Sequence, residues 1–164
     1  MSILQYAFLI ALSGSLLAVA LVAAATVRTV AVRRGGVLTD SWLERLAMTT
    51  RADDHVWAFI VHRVTGIAIF AFLAVHILDV SVYAVSPDAF DEIHDLYGTT
   101  PMRLFECLLL YGILFHTFNG LRLLLLDVRH LGVASARWSL RVASVAAIAL
   151  GTAGSVLILE PVWT

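Results

Sequence analysis

Residues 3–27, ILQYAFLIALSGSLLAVALVAAATV, run for twenty-five positions without one charged side chain. About 20 predominantly apolar residues suffice for a helix to cross the hydrocarbon core of a bilayer, so this run is long enough to span unaided. Three further stretches qualify, at about 56–85, 102–127 and 142–159. The whole chain follows suit: 60% of its residues are hydrophobic, 14% are charged, and the mean hydropathy is +0.90. With 164 residues in total, four spans leave no room for a soluble catalytic domain. The expectation is an all-α integral membrane bundle of four transmembrane helices, forming a single membrane domain over 1–164.

The punctuation between the runs supports that division. The arginines Arg28, Arg33 and Arg34 follow the first apolar stretch instead of preceding it, and the stretch is long. A secretory signal peptide has the reverse order and a shorter core, so residues 3–27 read as mature structure. Gly35 and Gly36 close the first helix. Residues 37–55 form the longest polar loop, with a short surface helix expected around Trp42 to Met48. Ser86-Pro87-Asp88 closes the second span, an acidic stretch follows, and Pro101 opens the third. The fourth span is uncharged and rich in Ala, Gly and Ser, a composition that lets helices approach closely.

All eleven basic residues are arginine. Arg28, Arg33, Arg34, Arg45 and Arg51 fall in the first loop and Arg129, Arg137 and Arg141 in the third, against Arg103 alone beside the second. The positive-inside rule puts both arginine-rich loops in the cytoplasm and both termini outside. A bacterial cytoplasmic membrane is the expected location. Cys107 is the single cysteine, so neither an internal disulfide nor an iron–sulfur cluster can be built from this chain.

Ionisable groups at membrane depth are costly and mark functional positions by default. His116 lies about 16 Å inward from Asp127, and His62 about 12 Å inward from Asp54, at 1.5 Å per residue. The two share a layer. His76, fourteen residues beyond His62, lies roughly 21 Å farther out. His62, Gly66, Ile69, Leu73 and His76 share one face of the second span; Gly112, His116, Asn119, Gly120, Leu123 and Asp127 share one face of the third. Imidazole is a standard axial ligand of haem iron, and a glycine beside it leaves room for a flat macrocycle. Ordinary packing explains the same residues: a membrane histidine can bond to a neighbouring helix, glycine lets helices approach, and Arg63 can snorkel to the surface. Asp79 and Glu106 sit near the outer ends of their helices, where solvated carboxylates are cheap. His55, His94 and His130 read as loop or interface residues.

WAFIVHRVTG at 57–66, followed some fifty residues on by HTFNGLRLLLLD at 116–127, resembles the cytochrome b large anchor subunit of succinate dehydrogenase, respiratory complex II. The two elements correspond to an HR-x-[ST]-G sequence opening one helix and an H-x-x-x-G-[IL]-R sequence near the cytoplasmic end of the next. The resemblance covers roughly 55–160, and VHILDVSVYAVSPDAFDEI looks like the actinobacterial version of the subunit.

That resemblance implies a haem b whose axial ligand is His116, with the opposite imidazole supplied by a second small anchor subunit. It implies that Arg63 borders the quinone pocket, and that His62 and Arg122 bind the haem propionates. Arg122 stands about 240° around the helix from His116, so it would have to wrap back to reach the same haem. The family commonly carries a quinone-donating serine where this chain has Phe59, which points to a menaquinone-type ring held by Arg63 and packing. A histidine that often follows the second arginine is here Leu123. The helix at 3–27 is an addition to the familiar three spans. The implied partners are a flavoprotein subunit carrying FAD, an iron–sulfur subunit, the second anchor and the bilayer, with assembly into a higher oligomer such as a trimer; no nucleic acid is expected. Succinate:quinone oxidoreduction is the implied activity of the complex, not of this chain alone. Other readings stay open at this point: the anchor of a fumarate reductase, a haem-free tether, a small transporter with His62, Arg63 and His76 along a polar path, or a second haem held by His76.

Overall fold

The computed structural model describes residues 2–33, 54–129 and 133–163. The expected surface helix at Trp42 to Met48 and His130 lie outside the described residues. Four long helices, α1 (Ile3–Arg33), α2 (Asp54–Val85), α4 (Thr100–Arg129) and α5 (Val133–Trp163), are each long and apolar enough to cross a membrane. A short helix α3 (Pro87–His94) and a 3-10 turn (Asp95–Gly98) join α2 to α4. Among the described residues there is no strand.

Each start has a local cause. Ser2 and Gln5 form a reciprocal box at the head of α1: the Gln5 amide donates to Ser2 Oγ at 3.1 Å and the Ser2 amide donates to Gln5 Oε1 at 3.1 Å. This satisfies donors that the first helical turn leaves free. Gln5 Nε2 then donates to the Glu92 carbonyl at 2.8 Å, pinning α1 to α3. At α3 itself, Ser86 caps the Ala89 amide and Pro87 occupies the first turn, where its missing N–H costs nothing. The acidic stretch after Pro87 is therefore a helix and not a plain loop. α5 also begins earlier than its uncharged run at 142–159, because arginine marks the water boundary of a span without breaking the helix.

α2 and α4 pack against one another, α1 leans on α2 and α3, and α5 lies along α4. At the α3 end, Phe8 and Leu12 of α1 meet Ile93 and Met102 in one buried apolar cluster. Asp79 belongs to that end too, but it is not a solvated carboxylate: it is 5% exposed and its Oδ2 accepts a 3.0 Å hydrogen bond from the Tyr97 hydroxyl. The 3-10 turn carries Tyr97 back over α2 and covers the carboxylate. Much of the remaining surface of the long helices is apolar and exposed, with Phe70, Leu78, Leu108 and Leu157 among the most open. A bilayer or partner helices would cover such a surface.

Candidate functional site

The HR-V-T-G sequence places His62 and Thr65 on the side of α2 that faces α4, with Gly66 beside them opening the space that the His116 ring enters. The His116 ring lies across Gly66, where an added Cβ would stand 2.8 Å from its Cε1 atom. His116 Nδ1 is 3.0 Å from the His62 carbonyl oxygen. A carbonyl can only accept, so Nδ1 carries the proton and donates. Thr65 Oγ1, 3.4 Å from the same nitrogen, is held by its own bond to the Val61 carbonyl. These partners fix the tautomer: Nε2 of His116 is left with its lone pair.

The His62 ring stacks on that of His116, with centroids 4.0 Å apart and planes 2° apart. Stacking covers a face of His116 and leaves its in-plane nitrogen lone pair free. The two helices interlock reciprocally, since His62 Cε1 in turn approaches the missing Cβ of Gly120 at 3.4 Å. The glycines that suggested room for a macrocycle are filled by each other's imidazoles, so ordinary close helix packing explains them. His62 Nδ1 is buried with no hydrogen-bond partner among the described residues. A buried polar atom without a partner calls for one from outside.

Arg63 is exposed, with its guanidinium carbon 5.5 Å from the centre of the exposed Phe59 ring. This cation–π contact steadies the charge. Phe59, which stands where the family commonly carries a serine, thus meets Arg63 directly.

Arg122 does not extend toward the two histidines as the propionate role required. It is 7% exposed and its Nε donates to Ser139 Oγ, its Nη1 to Asn119 Oδ1, and its Nη2 to the Ala136 carbonyl and His55 Nδ1, at 3.0 to 3.3 Å. Four of its five N–H donors are engaged in binding α2, α4 and α5 together. The helical offset from His116 is the reason: from that side of α4 the guanidinium meets α5. Asn119, 1% exposed and the most buried side chain of the described residues, is part of this clasp. Neither Asn119 nor His55 was singled out for it from the sequence; the signal available was an arginine and an asparagine three apart on an apolar helix, a spacing at which side chains meet.

His76 stands apart. It is exposed and stacks on Phe72 at 5.5 Å, with no second imidazole beside it among the described residues. His62, Arg63 and His76 do not converge on one polar path. Among the described residues no three or more His, Cys, Asp or Glu side chains gather as a metal site, so a metal bound at His116 would need its other ligands from a macrocycle and a partner.

A family profile described as the succinate dehydrogenase/fumarate reductase transmembrane subunit matches residues 40–157. The chain belongs to this family. Within the anchor family, a similar protein is the succinate dehydrogenase 2 membrane subunit SdhC of Mycobacterium tuberculosis, 39% identical over 77 residues. That alignment takes in 47% of this chain and 57% of the relative, so this chain spans a little over half the relative's length. The HR-V-T-G and H-x-x-x-G-L-R elements both lie inside the profile match, and they supply the stacked imidazoles of the anchor.

Proposed function

We propose that this anchor subunit binds haem b through His116 and borders the quinone site of a succinate:quinone oxidoreductase. The observation that carries the reading is the hydrogen bond from His116 Nδ1 to the His62 carbonyl. Metal-ligating histidines characteristically donate their second ring nitrogen to such an acceptor, which orients the ring and raises the basicity of the ligating nitrogen. A b-type haem, when bound, supplies a one-electron redox centre in the membrane. His116 would hold the iron together with a residue of a second anchor subunit, which would also tie the two chains together. His62, with its unpartnered Nδ1, is the propionate contact; Arg122 stays behind as the clasp that fixes α4 against α5.

Arg63 marks the quinone end. Its guanidinium, steadied over Phe59, presents N–H donors where negative charge develops on a quinone oxygen, and preorganised donors of that kind lower the barrier most where water is excluded. A menaquinone-type ring fits a site with an aromatic face in place of a hydroxyl donor. The flavoprotein and iron–sulfur subunits dock at this end, which the arginine bias assigns to the cytoplasm, with the whole chain acting as one anchoring domain in a bacterial inner membrane. The family description covers both directions of the reaction, and fumarate reduction would use the same parts.

A reduced-minus-oxidised spectrum with pyridine haemochrome quantification, on the assembled complex beside His116→Ala, tests the reading. Loss of the b-type signal with all subunits still present is expected. A full signal in the variant would move the ligand to another residue or chain.

A further inference from the structure

α1 is held by α2 and α3, and α5 by α4, so the two outer helices flank a cleft. The cleft measures about 530 Å³ and is walled by Val19 of α1, Val61, Ala68 and Phe72 of α2, Leu108 of α4 and Ile148 of α5. It adjoins the imidazole pair at one edge, where Thr65 and Gly112 line it. On α2 its residues face, on average, roughly 120° away from His62 and Gly66 and about 160° away from Arg63, at 100° per residue. An apolar cavity of about 150 Å³ accommodates one benzene ring, so this one corresponds to roughly twenty carbon atoms of hydrocarbon. One long acyl chain has that size. The lining runs from Val61 to Phe72, about 16 Å along the helix, so the cleft is elongated in the direction in which lipid chains lie.

The mouth of the cleft identifies the lipid. Arg137, Arg141, Ser144 and Ile148 form one stripe of α5 at the i, i+4, i+7, i+11 spacing, and Ser144 and Ile148 are cleft residues. Arg141 sits about 4.5 Å beyond Ser144 toward the helix start, and Arg137 one further turn. Both arginines are exposed. At the same level Trp138 is 70% exposed, and Trp57 precedes the cleft residue Val61 by one turn of α2. Tryptophans in that position mark the headgroup layer. We propose that the cleft holds one acyl chain of an anionic phospholipid, with its phosphate at Arg141 and Arg137. The extra helix α1 supplies the wall that turns a lipid-facing surface into a site.

The test uses the assembled complex in phosphatidylcholine nanodiscs doped with phosphatidylglycerol bearing a mid-chain diazirine. Irradiation and peptide mapping are expected to label α1 near Val19 and α5 near Ile148. Each arginine at a membrane surface strengthens anionic-lipid binding severalfold, so the double variant R137Q/R141Q is expected to cut the labelling on the order of tenfold. A matched phosphatidylcholine probe should label these peptides at the level of the double variant. Ser144→Leu, which narrows the mouth, should lower labelling with both arginines in place. Equal labelling by the two phospholipids, or none at α1 and α5, overturns the proposal. A quinone with a photoreactive isoprenoid tail is the third arm; if it labels the cleft in preference to the phospholipid, the occupant is the quinone tail and the proposal fails.

Discussion

Gly66→Ala is the smallest change that reaches the proposed ligand. The new methyl would stand 2.8 Å from His116 Cε1, 3.3 Å from Nδ1 and 3.7 Å from Nε2. Carbon atoms settle at about 3.5–4.0 Å, so the ring has to retreat by about 0.7 Å or more. The Nδ1 donor is 3.0 Å from the His62 carbonyl; the same retreat along that line stretches the contact to about 3.7 Å, beyond hydrogen-bonding range. Overpacking costs about 1–3 kcal/mol, and the lost hydrogen bond about 1 kcal/mol. Alanine returns about 1 kcal/mol through its better helix propensity. The net is about 2 kcal/mol, or roughly a thirtyfold loss if it falls on cofactor affinity. Haem per complex, measured by pyridine haemochrome across a haem titration, reads this directly. Gly112→Ala is the internal control, because its methyl would meet Thr65 Cγ2 at an ordinary 3.7 Å, and Gly14→Ala meets nothing within 4 Å. If Gly66→Ala binds haem as tightly as these two, the argument from the imidazole's position is wrong.

Other parts of the molecule give further expectations. Arg122→Lys keeps the charge but cannot satisfy Asn119, Ser139 and the Ala136 carbonyl together, and is expected to destabilise the solubilised complex by about 3 kcal/mol, read as a lowered midpoint in thermal unfolding. Gly151→Ala drives a methyl into the Tyr111 ring; a rigid ring yields poorly, so a loss of about 1–3 kcal/mol is expected, and restoration by Tyr111→Ala in the same chain would show that the contact is responsible. Burial, and then the neighbouring Asp79 carboxylate, pushes the Tyr97 phenol above its ordinary value of 10.0. Above that pH the unfolded chain gives up the proton first, so stability is expected to fall as pH rises from about 10, with the slope reduced in Tyr97→Phe. An unchanged slope in that variant would take Tyr97 out of the titration.

The long helices were legible because apolar length is a coarse signal that tertiary context cannot override: α2 and α4 begin and end within two residues of the charge-bounded runs. The start of α5 was not, since Arg137 and Arg141 were read as connector when they are helical residues at the water boundary. Ser86-Pro87 announced α3, but an acidic stretch masked it. At the site, rise per residue alone put His62 and His116 in one layer, and the structure stacks them. Periodicity also warned that Arg122 points elsewhere, yet it could not name what lies there, because Ser139 and Ala136 come from a helix whose placement no local pattern encodes. Asp79 was misjudged for the same reason. Its cover, Tyr97, comes from a turn eighteen residues later.

The acceptor for the His116 proton is a peptide oxygen. Every amino acid brings one, so no substitution at position 62 deletes it, and replacing the His62 ring removes the stacking partner without releasing the tautomer. The orientation of the proposed ligand is thereby insulated from drift in the neighbouring side chain. Vulnerability is displaced instead to position 66, where any residue other than glycine intrudes. In a saturation screen scored for haem, substitutions at position 62 should give graded losses, as the stacking partner and proposed propionate contact go while the ring orientation stays, and position 66 should accept almost none.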